Sequence, residues 1–148
     1  MKKKILYIMM AAAVSVFMMG TAAIAGNTTD RQADTYITVN TGGYTDAQGK
    51  YDATSTYVNL TSTPQTGRVN CMVEGDKPYN NTSIRTWVPE NVGGKAVVLT
   101  NGEWLIRQYV YEDNCNNARL HFTLYAGNPG WARGWWSPDS VGSYTYAN

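Results

Sequence analysis

The amino-acid sequence predicts an all-β protein: a single antiparallel β-sandwich that follows an N-terminal signal peptide. After residue 34, apolar and polar residues alternate at a period of two, and β-branched and aromatic side chains are frequent. Gly, Asn, Thr and Pro interrupt these runs roughly every 8–12 residues, a spacing typical of sandwiches and barrels. Beyond the signal, no segment longer than about eight residues combines helical periodicity with helix caps.

Residues 1–25 have the three parts of a secretory signal peptide. Lys2, Lys3 and Lys4 form a charged start, an apolar stretch follows over residues 5–19, and Ala23-Ile24-Ala25 forms a small-x-small cleavage site. The apolar stretch is shorter than the roughly 20 residues that span a bilayer, so we expect cleavage before Gly26 rather than a retained anchor. The sequence therefore predicts a secreted protein, with a flexible leader over residues 26–34 and a sandwich domain over residues 35–148.

The strand pattern recurs along the whole domain. The predicted strands lie in residues 36–40, 51–60, 69–74, 83–88, 95–100, 103–112, 119–126 and 131–136. Asn101-Gly102 separates two of them and suits a type I′ turn, so a hairpin is predicted there. The run 119–126 is the clearest strand, because Leu120, Phe122 and Leu124 point to one side of it.

Charge argues against nucleic acid as a partner. Three of the 12 Lys and Arg residues lie in the signal, which leaves nine against 11 Asp and Glu and a mature net charge of about −2. The remaining basic residues are scattered singly, without the positive patch that phosphates require. After signal cleavage, no stable membrane span is expected either.

The two cysteines, Cys71 and Cys115, both lie in the predicted domain. An exported chain with a small, even number of cysteines favours a disulfide, which would here close a loop of about 45 residues and stabilise the fold by about 4 kcal/mol. The alternative is a pair of buried thiols that pack as small apolar groups.

His121 is the single histidine and the first residue to consider for catalysis. Alternation places it on the polar face of its strand, beside Arg119 and Thr123, where a solvated side chain is the expected state. Zinc sites need three or four ligands, and this chain has one histidine and two distant cysteines. No calcium-loop or nucleophile-elbow motif is present, so neither a metal, a cofactor nor a catalytic triad is expected.

Acid–base hydrolysis of a sugar needs two carboxylates about 5–9 Å apart. The available residues are Glu103, Glu112, Asp113 and Asp139, and their spacing does not predict that any two converge. We expect solvated loop charges, and a small carbohydrate-active hydrolase that uses a carboxylate pair is the alternative.

Aromatic residues are the unusual resource of this sequence, with five Trp and eleven Tyr. Adjacent Trp135 and Trp136 must point to opposite faces of a strand. The simplest account places two of Trp131, Trp135 and Trp136 in the core and the third over an edge. The alternative is that exposed rings, Tyr125 included, form a binding surface.

The C-terminal residues resemble a known family. The strand over residues 120–126, the sequence Gly134-Trp135-Trp136-Ser137-Pro138-Asp139-Ser140 and the strand exit over residues 109–114 are similar to those of small exported proteins of Gram-positive bacteria that form a domain-of-unknown-function family. The resemblance implies an extracellular β-sandwich and carries no catalytic residue. The resemblance also implies an association with bacteriocin or peptide-export systems, without a mechanism. The cysteine pair and the tail over residues 141–148 depart from the family pattern.

Within that sequence, Ser137-Pro138-Asp139-Ser140 predicts a turn that ends the strand, with Asp139 bonded to its own nearby backbone. These observations favour a non-enzymatic secreted protein that acts by surface binding at the cell envelope or on neighbouring cells.

Overall fold

Two β-sheets pack face to face in the computed structural model, which describes residues 26–80 and 82–148. The strands of the first sheet are β1 (Arg31–Gln32), β2 (Thr35–Ile37), β5 (Thr56–Ser62), β9 (Gly102–Ile106), β11 (Gly130–Ser137) and β12 (Thr145–Tyr146). The strands of the second sheet are β3 (Gly43–Tyr44), β4 (Gln48–Gly49), β6 (Val69–Pro78), β7 (Arg85–Pro89), β8 (Val97–Leu99) and β10 (Asn117–Leu124). No helix occurs in these residues, so the predicted β-sandwich is confirmed.

The first sheet has the order β1-β11-β5-β9-β12, and β2 also pairs with β11. The second has the order β3-β10-β6-β7, with β4 on β10 and β8 on β6. The ladders are antiparallel except for one, because β12 runs parallel to β9. Strands that are far apart in sequence therefore pair in both sheets, as in β11 with β5 and β10 with β6.

The core lies between the two sheets and is built by the alternation that the sequence displays. Val58, Leu60 and Trp136 enter it from the first sheet, and Leu120 and Phe122 enter it from the second. These five side chains are essentially inaccessible to solvent. Burial of large apolar side chains, at about 1.5–3 kcal/mol each, is the main source of stability for such a fold.

The predicted hairpin around Asn101-Gly102 is wrong. β8 pairs with β6 in the second sheet, whereas β9 pairs with β5 in the first, so this turn carries the chain from one sheet to the other. A type I′ turn needs positive φ at both central residues, but of the two only Gly102 has it, at 129°. Instead of pairing with each other, β8 pairs with the longer β6 and β9 pairs with the longer β5.

The predicted flexible leader over residues 26–34 also needs correction. β1 pairs with Trp135 and Trp136 of β11, and Ala33 is fully buried and donates its N–H to Gly134 O at 2.9 Å. The side chains of β1 point to solvent, which is why the segment is polar. Its backbone hydrogen bonds attach it to β11. The predicted signal peptide, residues 1–25, lies outside the described residues.

The predicted disulfide is absent, since Cys71 and Cys115 are both buried free thiols. A Cβ atom built on Gly75 would lie 2.6 Å from Cys115 Sγ, so Cys115 packs against that glycine. Cys71 lies four residues earlier on β6, about 13 Å along the strand. A disulfide needs Cα atoms within roughly 4.4–6.8 Å, a separation that these positions do not allow.

Candidate functional site

Strand β11 presents two tryptophans to solvent on the outer side of the first sheet. Ala132 and Trp136 point into the core, whereas Trp131, Arg133 and Trp135 point outward. Trp131 is 46% exposed and Trp135 is 44% exposed, while Trp136 is completely buried. The opposite orientation predicted for Trp135 and Trp136 is thus confirmed, because neighbouring residues of a strand face opposite sides.

Neighbouring residues fix the orientation of Trp131. Tyr36 of β2 lies opposite it in the ladder, and the two rings meet edge to face with centroids 5.5 Å apart. Arg133 places its guanidinium carbon 5.1 Å from the centroid of the Trp131 ring. Edge-to-face and cation–π contacts of this kind hold an exposed ring in place, at about 0.5–1.5 kcal/mol each.

A row of polar groups continues from Trp135 across the sheet. Trp135 lies opposite Asn59 of β5, and Asn59 lies opposite Glu103 of β9. Glu103 Oε1 accepts a hydrogen bond of 2.6 Å from the Tyr57 hydroxyl. Burial and this bond raise the pKa of Tyr57, so it remains a neutral donor. The outer aromatic face is the surface formed by Tyr36, Trp131, Arg133, Trp135, Asn59 and Glu103.

The C-terminal segment covers the neighbouring part of the same sheet. Tyr144 packs on Tyr57 with ring centroids 4.8 Å apart, and the Arg107 guanidinium lies 3.8 Å above the Tyr146 ring. These contacts bury Tyr57 and Leu105, which would otherwise be solvent-facing. The covering ends there and leaves the exposed tryptophans on the side of β11 and β2.

The four predicted binding residues do not share one surface. Trp131 and Trp135 share one exposed face, and Trp136 is a core residue, so its assignment to a binding surface is wrong. Tyr125 is exposed but follows β10 of the other sheet, where it contacts Arg68. The simplest account, with two of the three tryptophans in the core, is also wrong, because the core takes only Trp136.

Sequence reasoning missed Tyr36, Arg133 and Asn59 as members of this face. Alternation within β11 places Arg133 beside the two tryptophans, so that signal was available. The contributions of Tyr36 and Asn59 depend on the pairing of β11 with β2 and β5, which no local pattern in the sequence specifies.

A second cluster lies on the outer side of the other sheet. Arg119 is sandwiched between Tyr44 and Trp87, at 4.1 and 4.3 Å from their ring centroids. It also donates two hydrogen bonds, of 2.8 and 2.7 Å, to Glu74 Oε2. His121 stacks on Tyr44 at 4.2 Å, with its Nδ1 3.1 Å from Glu74 Oε1.

The position of His121 on a polar strand face predicted a solvated side chain. Its contacts with Tyr44 and Glu74 instead hold it in place. Its two ring nitrogens face Glu74 Oε1 and the Thr41 carbonyl oxygen. Both nitrogens have acceptors, so neither is directed at a nucleophile in the way that triad chemistry requires. The polar groups of this cluster bond to one another, which favours a structural role.

The four candidate carboxylates are dispersed. Glu103 bonds Tyr57 on the outer aromatic face, and Asp113 pairs with Lys77. Asp139 is fully buried beside Lys50, so its expected states, a solvated charge and a bond to its own nearby backbone, are both wrong. Glu112 alone of the four lines a cleft of about 600 Å³, together with Tyr51 and Tyr111.

In residues 26–80 and 82–148, no three His, Cys, Asp or Glu side chains are grouped so that they could hold a metal ion. The same part of the chain contains no helix with the length and apolar character needed to cross a membrane.

Comparison with known proteins adds a family but no activity. Searches of curated proteins and of solved structures found no match. A family model described as "protein of unknown function" (DUF2712) matches residues 20–140, which include both sheets except for β12. The expected resemblance to a domain-of-unknown-function family is thereby confirmed. The chain belongs to the DUF2712 family of proteins of unknown function.

Proposed function

We propose that this protein is a secreted, non-enzymatic domain that binds polysaccharide at the cell envelope through its outer aromatic face. The observation that carries the proposal is the pair of exposed rings, Trp131 and Trp135, on one strand of a rigid sheet. They lie four residues apart, about 13 Å along the strand, a span that several units of a linear sugar chain would cover.

The composition of the outer aromatic face favours a glycan over a protein partner. Sugar rings have apolar C–H faces that stack on aromatic rings and hydroxyl groups that need donors and acceptors. Arg133, Asn59 and Glu103 supply those groups between and beside the rings. Protein interfaces are also enriched in Trp, Tyr and Arg, but they are depleted of carboxylates such as that of Glu103.

Secretion is part of the proposal and rests on the predicted signal peptide. The binding role without catalysis is supported by the dispersal of the candidate carboxylates and by the acceptor atoms that lie beside both His121 nitrogens. A cell-wall polymer is the ligand class that an exported protein with such a face would meet first.

The proposal is tested by sedimentation of the purified protein with insoluble peptidoglycan, other polysaccharides and intact cells. We expect Trp131→Ala and Trp135→Ala each to weaken binding at least tenfold, or about 1.4 kcal/mol. Tyr125→Ala is the matched control, because Tyr125 is as exposed as Trp131 but lies on the other sheet. Unchanged binding by both tryptophan variants, or no binding of the parent protein to any of these materials, would refute the proposal.

The competing function is carbohydrate hydrolysis in the cleft that Glu112 lines with Tyr51 and Tyr111. Incubation with the same polysaccharides, followed by assay of new reducing ends, distinguishes the two functions. Release of sugar by the parent protein and its loss in Glu112→Gln would establish hydrolysis. Binding without release supports the proposed role.

A further inference from the structure

A lysine and an aspartate meet inside the protein, and neither belongs to the outer aromatic face. Lys50 follows β4 of the second sheet, and Asp139 follows β11 of the first. Lys50 Nζ lies 2.5 Å from Asp139 Oδ1, and both side chains have no solvent-accessible surface. Because a carboxylate C–O bond is about 1.25 Å long, Nζ is within about 3.8 Å of Asp139 Cγ.

Hydrogen bonds from the surroundings hold both groups in place. Lys50 Nζ also donates to the Thr54 carbonyl oxygen at 2.5 Å, which fixes the end of the flexible side chain. Asp139 Oδ2 accepts hydrogen bonds from the backbone N–H groups of Asn27 and Tyr51. Two fixed N–H donors on one carboxyl oxygen are the arrangement that stabilises a developing oxyanion.

A third group is placed to move protons. Asp52 Oδ1 lies 3.8 Å from Lys50 Nζ, and it is held there by hydrogen bonds from the Thr54 backbone and side chain. The Asp52 side chain is 29% exposed, so this edge of the site is open to solvent. A proton and a water molecule can leave past it.

Burial also favours the form of lysine that can act as a nucleophile. Desolvation lowers the pKa of Lys50, and the attraction of Asp139 and Asp52 opposes this shift without cancelling it. The amine is therefore neutral more often than that of an exposed lysine, and a neutral amine is the nucleophilic form.

We infer that Lys50 and Asp139 condense to form an intramolecular isopeptide bond, with Asp52 as the proton-transfer group. A proton passes from the Lys50 ammonium to the Asp139 carboxylate, and Nζ attacks Cγ. The tetrahedral intermediate keeps Oδ2 on the N–H groups of Asn27 and Tyr51. Asp52 takes a proton from the nitrogen and returns it to Oδ1, which leaves as water. One N–C bond forms, one C–O bond breaks, and no oxidant is required.

Amide formation from an acid and an amine is unfavourable in dilute aqueous solution, and two features of this site reverse that. Groups held at near-attack distance reach effective molarities of about 10⁵–10⁸ M. The bond would also be buried, because neither side chain has solvent-accessible surface. The product would join a segment of each sheet covalently, and thereby hold the sandwich closed where its first and last thirds meet.

The test is the intact mass of the purified full chain in denaturant, compared with the sequence mass for whatever N-terminus it carries. We expect a mass 18 Da lower. Trypsin should leave Lys50 uncleaved and yield residues 32–68 joined to residues 134–148 as one branched peptide. A full sequence mass, or an 18 Da deficit located in another peptide, would overturn the inference.

Variants assign the roles. Lys50→Gln and Asp139→Ala should have the full mass of their sequences. When newly synthesised chains are sampled over time, Asp52→Asn should lose 18 Da at least tenfold more slowly than the parent protein. Lys77→Gln, which removes the lysine of the exposed pair with Asp113, should retain the deficit. Equal rates in Asp52→Asn and the parent protein would exclude Asp52 from the reaction, and the mass of the parent protein decides the inference even if a variant fails to fold.

Discussion

At the scale of single residues, neighbours in sequence have separate tasks. Trp135 contributes an exposed ring to the outer aromatic face, and Trp136, the next residue, is completely buried in the core. Truncation of Trp136 would remove core volume, at about 3–5 kcal/mol, whereas truncation of Trp135 should leave stability nearly unchanged. A Trp136 variant would lose binding through loss of folding, whereas a Trp135 variant would lose it through loss of a contact. Trp131 and Trp135 are therefore the residues to substitute in the binding test.

Glu90 is a buried carboxylate whose charge is poorly compensated. Burial raises the pKa of Glu90, and repulsion from Asp113 and Glu112 adds to this shift, while Lys77 opposes it. Between the ordinary pKa and the raised one, the folded protein binds more protons than the unfolded chain does. The contribution of Glu90 to stability is therefore fully present below the ordinary pKa and is lost as pH rises through the raised value.

We expect Glu90→Gln to gain stability relative to the parent protein as pH rises from about 4 to about 8, because the amide cannot ionise. The backbone bonds of residue 90 to Val73 and Tyr109 do not involve the side chain and should persist. Thermal unfolding of both proteins across this pH range measures the effect. A difference in unfolding temperature that stays constant with pH, or that increasingly favours the parent protein as pH rises, would contradict this prediction.

At the scale of elements, β11 organises the first sheet. It pairs with β1, β2 and β5, and its register shifts at a bulge between Arg133 and Gly134. Trp131 and Trp135 share one face because they lie four residues apart on β11, and the bulge places its extra residue, Thr61, on β5. The glycine of the C-terminal family sequence thus has a structural reason, as do Trp136 in the core and Asp139 beside Lys50.

Gly134 permits a backbone approach that no side chain allows. A Cβ atom at this position would lie 2.0 Å from the Asn59 carbonyl oxygen of β5. We expect Gly134→Ala to lower the free energy of unfolding by about 3 kcal/mol, through strain and loss of β11–β5 pairing. Denaturant unfolding measures this change.

Gly67→Ala is the control for backbone strain without a clash. Gly67 has a φ of 71° and no atom within 4 Å of the Cβ that alanine would add. Its substitution should cost about 1–2 kcal/mol, the penalty of the left-handed conformation alone. If both variants lose the same stability, the close approach of β11 to β5 is not what requires the glycine.

At the scale of the whole molecule, the two thiols are kept apart by the packing of the core. Burial raises the pKa of the Cys71 thiol strongly, and burial with the nearby charges of Glu90 and Asp76 raises that of Cys115 to about 12. Neither thiol is ionised near neutral pH, so neither is reactive.

We expect no change of 2 Da in the intact mass on reduction. A thiol reagent should label two cysteines per chain in denaturant and none in the native state. A mass increase of 2 Da on reduction would mean that Cys71 and Cys115 approach each other in a way that the strand register forbids. The 18 Da deficit expected for the isopeptide bond is unaffected by reductant, so the two measurements are independent.

Local periodicity in the sequence correctly predicted which way the side chains of the clearest strands point. Alternation in residues 119–126 placed Leu120 and Phe122 inside and His121 outside, as found, and the same rule oriented Trp135 and Trp136. It failed at Asn101-Gly102, where a favourable hairpin dipeptide joins strands of different sheets. A turn preference acts on two residues only, and the pairing of β8 with β6 and of β9 with β5 outweighs it.

By itself, the sequence determined the all-β class, the faces of the clearest strands and the presence of a family-like C-terminal segment. Only the tertiary structure decided which faces become surfaces and which distant residues meet: Tyr36 with Trp131, Asn59 with Trp135, Lys50 with Asp139, and Cys71 apart from Cys115. The physical reason is that side-chain direction follows from a period of two within one strand. Strand pairing, in contrast, depends on the summed burial and hydrogen bonding of residues far apart in the chain.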